Sequence, residues 1–336
     1  MDSEKILLGH GSGGLLTHSL IKDFILKELN NPYLKKLTDA ATLNLKNKKI
    51  AFTTDSYVIK PIFFPGGDIG KLAICGTVND LVAMGARPLY LSLGLIIEEG
   101  FPKSDFKKII KSIKQISKKI NLNIVTGDIK VVEKGACDKI FINTSGVGEI
   151  LEGCNLSTDK ITPGDKIIIS GFIGEHGISV FLKREKLDFK FKIKSDCNNL
   201  DKLILPALKK FKGIKFMRDP TRGGLASTLN EITINTNLGI EIVEEKVPVR
   251  PSVKAMCDIL GMEPMYLANE GKMVLVVGKN IAKDVINFLR KNNLGKNTQI
   301  IGTVTKNNPK KVCLKTKIGG LRILDMLSAD PLPRIC

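Results

Sequence analysis

Apolar and polar positions along this chain keep switching between a helical and a strand period. Helical spacing runs over residues 15–29 and 69–84, and strand-like runs occupy 49–52 and 89–97. Residues 105–120 form the clearest amphipathic stretch: Ile109, Ile113, Ile116 and Ile120 make one stripe, and Ser104 stands where an N-cap belongs. Strands are expected at 123–126 and 139–147. Pro163-Gly164-Asp165 is a turn signal that opens a second half with a strand over 166–170. Beyond it the pattern predicts helices at 176–184, 200–210, 224–236, 253–260 and 281–291, and strands at 239–243, 273–277 and 299–304. This alternation predicts an α/β fold of the layered α+β kind, in two domains at 46–160 and 161–327. A Gly-rich loop and helix at 1–45 precede them, and a flexible tail at 328–336 follows. The halves share a grammar without a convincing internal repeat. With no low-complexity linker between them, the two domains are expected to pack closely.

Composition narrows the classes. The formal charge of +18 invites a nucleic-acid partner, but aromatic residues make up only 5 % of the 336, with no tryptophan to stack on bases. The lysines (Lys107, Lys108, Lys111, Lys114, Lys118 and Lys119 among them) decorate solvent faces, so the charge reads as a mild attraction for anions such as nucleotides. No apolar run reaches the length of a membrane span, and the amino terminus lacks a signal-peptide pattern. Seven scattered cysteines without a Cys-x-x-Cys pair argue against a disulfide framework or a structural zinc site. The expectation is a soluble cytoplasmic protein with neither a nucleic-acid nor a membrane partner.

Candidate chemistry sits in a few segments. Gly9-His10-Gly11-Ser12-Gly13-Gly14 suits a loop whose amides approach phosphate oxygens, or else a plain flexible loop. Asp55 is expected just after a strand, Asp80 within a helix, and Asp128 at the end of a strand leading out of Thr126-Gly127. Hard oxygen donors of this kind suit Mg²⁺ on nucleotide phosphates, though each residue alone is a common turn former. Asp219-Pro220-Thr221-Arg222-Gly223-Gly224 precedes an apolar helix that Thr221 is placed to cap. Asn269-Glu270-Gly271-Lys272 offers a carboxylate at a strand edge, or a turn with a solvated Glu–Lys pair. Cys336 is the final residue, after Pro331 and Pro333. Two prolines favour an extended run over a helix, so the thiol stands at the tip of a tether able to enter and leave a pocket.

Taken in order, these segments resemble the HypE family of hydrogenase maturation factors, the carbamoyl dehydratases, essentially from end to end. Thr54-Asp55-Ser56-Tyr57, Phe63-Phe64-Pro65-Gly66-Gly67, Lys71-Leu72-Ala73-Ile74-Cys75-Gly76-Thr77 and Asn79-Asp80 join those already quoted, and the closing Pro333-Arg334-Ile335-Cys336 is the most specific. Asp330, where glutamate is the family pattern, and Pro220, where alanine is common, are small departures. The resemblance implies two domains like those of aminoimidazole ribonucleotide synthetase and a homodimer formed through mixed sheets, with ATP near the subunit boundary. It implies ATP-dependent dehydration of an S-carbamoyl group on Cys336 to a thiocyanate, supplying cyanide to hydrogenase iron.

The partners implied are a carbamoyltransferase resembling HypF and an iron scaffold resembling HypC–HypD. By the same resemblance, Asp55, Asp80, Asp128 and Asp219 hold Mg²⁺. Asp55, Lys71, Asn79, Asp128, Asp219 and Arg222 contact ATP, with His10, Gly11, Ser12, Gly13 and Gly14 over the phosphates. Glu270 is the base for the N–H proton, and Lys130 stabilises charge developing on oxygen. Two rivals stand beside this reading. Selenophosphate synthesis calls for a reactive cysteine or lysine near the glycine loop, and no cysteine precedes Cys75. A non-enzymatic carrier would make the aspartates mere turn residues.

Overall fold

The computed structural model describes residues 14–20, 22, 41–45, 48–187, 189 and 192–328. His10, Gly11, Ser12, Gly13 and Cys336 lie outside the described residues. After α1 (Leu15–Leu20), the first half contains β1 (Ala41–Leu45), β2 (Lys48–Tyr57), the short β3 (Phe63–Phe64) and β4 (Gly67–Asp68), and α2 (Ile69–Ala83). It continues with β5 (Ala86–Glu98), α3 (Lys103–Lys119), β6 (Asn123–Val132) and β7 (Ile140–Ile150). Five of these strands form a mixed sheet in the order β1-β2-β7-β5-β6, in which only β5 and β6 are parallel. A parallel pair needs a long crossover, and α3 supplies it.

α2 is buried on nearly every side. A helix with no polar face belongs between layers, and α2 lies between the sheet, through β2 and β7, and elements of the second half. Asp68 caps it, its side chain accepting from the amides of Gly70 at 2.8 Å and Lys71 at 3.0 Å. Gly70 lets α3 approach closely, since a Cβ there would meet Ile109 at 2.8 Å. Of the expected stripe on α3, Ile109 and Ile113 are buried, while Ile116 and Ile120 pack at the margin of the core.

The second half holds β8 (Lys166–Ile169), α4 (Glu175–Arg184), α5 (Asp201–Lys210), β9 (Ile214–Arg218), α6 (Gly224–Ile234), β10 (Gly239–Val243) and α7 (Pro251–Leu260). β11 (Val274–Val277), α8 (Ala282–Leu289), β12 (Gln299–Thr305), β13 (Val312–Lys315) and β14 (Leu321–Ile323) complete it. Its seven strands run β14-β13-β10-β12-β8-β11-β9. The main hydrophobic core includes Tyr57, Leu72 and Leu91 together with Leu203, Met217 and Leu275, so the two halves share one apolar interior.

Several local expectations are corrected. α3 begins with Pro102 in the N-cap position and no side-chain cap, because the Pro102 carbonyl itself accepts from Asp105 and Phe106; Ser104 lies inside the first turn. α6 is likewise not capped by the Thr221 side chain. Gly223 occupies the N-cap with φ 70°, and the Thr221 carbonyl accepts from the Gly224 amide at 3.0 Å. β2 and β6 are longer than expected, so Asp55 and Asp128 lie within strands rather than after them. β9, β13 and β14 were not anticipated, although β8, β10 and β11 of similar length were.

Candidate active site

β2 and α2 carry the first wall of the site. Thr53, Asp55 and Tyr57 alternate with Phe52, Thr54 and Ser56 along β2, and the first set faces α2. There Thr53 donates to Asp80 at 3.0 Å, and the Tyr57 hydroxyl pairs with Thr77 at 3.0 Å. Gly76 stands opposite: a Cβ there would lie 2.4 Å from the Tyr57 oxygen. The second half closes the space with Asp219, Thr221, Arg222 and Glu270, and together these residues enclose a cavity of about 30 Å³. A space of that size admits a water or an ion. Three of the four aspartates that the family resemblance groups, Asp55, Asp80 and Asp219, thus line one cavity, with Arg222 and Glu270 beside them.

The electrostatics follow from burial. Desolvation pushes the Asp55 carboxyl above its ordinary value, against the pull of the Arg222 guanidinium, the Ser56 amide and the Tyr57 hydroxyl. It also drives the Tyr57 phenol well up, aided by the Asp55 and Asp80 charges, so Tyr57 stays a donor at neutral pH. Glu270 is 3 % exposed, and its carboxyl lies well above the usual carboxylate range. Burial is the main cause, reinforced by Cys197, Asp219, Asp196 and Asp55.

The solvated Glu270–Lys272 turn is therefore overturned, since both residues are buried and Lys272 pairs with Asp196 at 3.0 Å. Asn269 ties this segment to the Asp219 loop. Its Nδ2 donates to the Pro220 carbonyl at 3.0 Å, and its Oδ1 accepts from the Gly174 amide at 2.7 Å.

Other expected residues stand elsewhere. Asn79 does not line the cavity: its amide donates to the carbonyls of Asn198 and Glu270 and accepts from the Leu200 amide, joining α2 to the second half. Lys71 donates to the Gly66 carbonyl at 2.8 Å, nine residues and roughly 13 Å along α2 from Asp80. Asp128 and Lys130 pair with each other at 3.4 Å and are exposed.

Cross-strand register explains their separation. Asp128 pairs with Gly94, Gly94 with Asn143, and Asn143 with Ser56. Asp128 thus shares the face of Ser56, whereas Asp55 occupies the opposite face, against α2. Gly14 sits where a Cβ would come 2.1 Å from the Leu327 carbonyl, which also accepts from the Leu15 amide at 2.9 Å. The stems of the glycine-rich segment and of the tail therefore lie side by side.

Sequence reading missed Asp196, Cys197 and a role for Tyr57. Residues 192–200 form an irregular segment between α4 and α5, where no period marks a buried polar group. Among the described residues no three carboxylates, imidazoles or thiols converge tightly enough to hold a metal ion by themselves. An all-oxygen set spread round a cavity still fits Mg²⁺, which takes one or two carboxylates and completes its shell with phosphates and water. No described helix is long and apolar enough to cross a membrane.

Two α/β layers with a carboxylate-lined cavity between them place the chain in a known class. It matches the AIR synthase related protein family twice, the N-terminal domain over residues 37–150 and the C-terminal domain over residues 162–315. Carbamoyl dehydratase HypE of Bradyrhizobium diazoefficiens is 44 % identical over 98 % of this chain and 95 % of its own length. The chain belongs to the HypE family, as its ordered motifs imply. Two solved structures are similar throughout. One is HypE in a HypE–HypF complex (TM-score 0.87, 47 % identity, 92 % of this chain and 100 % of that one). The other is hydrogenase maturation protein HypE in complex with ATP (TM-score 0.83, 44 % identity, 99 % of this chain and 100 % of that one).

Proposed function

We propose that this chain is an ATP-dependent carbamoyl dehydratase of hydrogenase maturation, converting an S-carbamoyl group on its own Cys336 into a thiocyanate. The observation that carries this reading is Glu270, a buried carboxyl of raised pKa on a cavity shared with Asp55, Asp80, Asp219 and Arg222. In the reaction the carbamoyl nitrogen loses two protons, and the carbon loses its oxygen as phosphate. When bound, Mg-ATP supplies the phosphoryl group that makes that oxygen a leaving group.

Asp55, Asp80 and Asp219 hold the metal-bound phosphates, Arg222 adds a positive charge at the rim, and His10, Gly11, Ser12, Gly13 and Gly14 cover the phosphates. Lys71 lends positive charge at the far end of α2, and Asn79 acts through the Glu270 backbone. Glu270 takes the N–H proton; a base whose pKa approaches the working pH does this best. Residues 46–160 supply the nucleotide wall, 161–327 the base, and 328–336 the thiol. A cytoplasmic carbamoyltransferase of the HypF kind loads the tail, and a scaffold of the HypC–HypD kind receives the cyanide.

A mass measurement on the C-terminal peptide tests this. After carbamoylation by the transferase, the peptide is expected to lose one water only when Mg-ATP is present. A carrier would keep its mass, and loss of water without ATP would refute the ATP requirement.

The uncovered sheet face supports a homodimer. Phe52, Val147 and Tyr90 form one cross-strand row, with Phe52 41 % and Tyr90 48 % exposed, and Ile96 lies further along at 43 %. An apolar rim of this kind marks an interaction surface. Asp128 and Lys130 lie on the sheet face turned away from their own subunit's cavity. The roles the family resemblance gives them, contact with Mg-ATP and stabilising charge on oxygen, therefore require a site that a second copy completes. Asp55→Asn and Asp128→Asn are each expected to weaken Mg-ATP turnover strongly. Mixed dimers of the two variants should regain activity, because one of their two sites is intact. No recovery on mixing would place Asp128 in its own subunit's site or outside any site.

A further inference from the structure

Glu270 has no flexible backbone to spare. Its amide donates to Asp196 Oδ1 at 3.1 Å, and the next amide, of Gly271, donates to Asp196 Oδ2 at 3.2 Å. Its carbonyl accepts from the Asn198 amide at 3.2 Å and from Asn79 at 3.4 Å. The two segments lie so close that a Cβ at Gly271 would stand 2.0 Å from the Asp196 carbonyl oxygen.

The Asp196 side chain is 1 % exposed. A carboxylate so buried is costly unless its lone pairs are filled and its charge is met. Here two amides and the Lys272 ammonium do both, and Lys272 and His176 outweigh burial to hold its pKa below the ordinary value. Asp196 is held in turn from behind. The Ser195 hydroxyl accepts from the Cys197 amide at 3.1 Å and pairs with His176 Nδ1 at 2.8 Å, while the Ser195 amide donates to the Pro65 carbonyl at 2.8 Å.

We propose that Asp196 is the positioning residue of the dehydration: its carboxylate, clamped between the Glu270–Gly271 amides and Lys272, fixes the Glu270 carboxyl against the cavity. The inference rests on the reading of Glu270 as the base. A structural tie with no bearing on catalysis could sit anywhere along the segment. This one bonds the base's own amide and its neighbour's. A shift of 1 Å in a reacting group can cost about 10²-fold in rate. Asp196→Asn keeps one acceptor but turns its NH₂ toward an N–H or the Lys272 ammonium, so the segment must move.

The test is single-turnover conversion of the full carbamoylated chain at saturating Mg-ATP, read by mass, with ATP affinity measured separately. Asp196→Asn is expected to convert roughly 10–10²-fold more slowly with ATP affinity unchanged. In a Glu270→Gln background it is expected to add no further loss, because the group it positions is gone. Asp196→Glu keeps the charge and the Lys272 pair but displaces the carboxylate by one methylene; it guards against misfolding and is expected to show the same pattern.

A wild-type rate in both Asp196 variants overturns the proposal while leaving the base reading intact. So does an undiminished additional loss in the Glu270→Gln background, which would make Asp196 act independently. A wild-type rate in Glu270→Gln alone removes the base reading and the positioning role with it.

Discussion

Cys336→Ala is expected to abolish the nitrile product while leaving the fold and Mg-ATP binding intact. The thiolate is the form of cysteine that accepts a carbamoyl group, so a substitute would need both access and ionisation. None of the six described cysteines meets both conditions. Cys75, Cys197, Cys257 and Cys313 are buried inside the two halves. Burial and the nearby Asp258 push the Cys257 thiol up to about 12, and Cys197 is held well up by its hydrogen bond with Cys75 and by burial. Cys137 and Cys154 are half-buried with thiols also raised, chiefly by burial. Cys336, on the tail expected from the sequence, is the thiol proposed to be loaded by the transferase and then delivered to the cavity. Mass analysis of the variant after incubation with transferase and Mg-ATP checks this, and adduct on Cys75 or Cys313 would defeat it.

Glu270→Gln is expected to bind ATP and stall at the carbamoyl stage. Glutamine preserves the size and reach of the side chain but cannot accept a proton, and loss of a general base typically costs about 10²–10⁴ in rate. Loss of an exposed ion pair would cost only about 0–1 kcal/mol, but among the described residues Glu270 has no such pair, since Asp196 holds Lys272. The sign of the pH dependence follows from burial. The base works ionised, and its pKa is raised, so the wild-type conversion rate should climb as pH rises through that raised value. The glutamine variant should lose that limb. Conversion within threefold of wild type, on a scale where roughly 10² is the smallest expected effect, would falsify the base assignment and turn attention to Lys130 or His10.

Several parts of this molecule were legible from periodicity. Helical spacing over 69–84 anticipates α2 at Ile69–Ala83, and the strand expected at 239–243 is β10 at Gly239–Val243. Asp80 was placed on a helix, and it is there. Each leaves a local signal, since helical hydrogen bonds and the alternation of strand faces span only a few residues. The Asp219 loop before α6 was also visible, because glycine and proline restrict the chain wherever they stand.

What the chain segments do to one another was decided only in three dimensions. Strand alternation assigns Asp55 and Asp128 each to a face of its own strand. The register through β7 and β5 puts them on opposite faces of one sheet. Asn79 looked like a ligand group beside Asp80, but its amide bonds to backbone at 198, 200 and 270, more than a hundred residues away. Asp196 carried no local signal, because its partners are two amides and a lysine some 75 residues further along the chain. Periodicity reports which side chains share a surface. Which surfaces meet, and hence which carboxyl is desolvated into a base and which is neutralised into a clamp, is set by packing between distant segments.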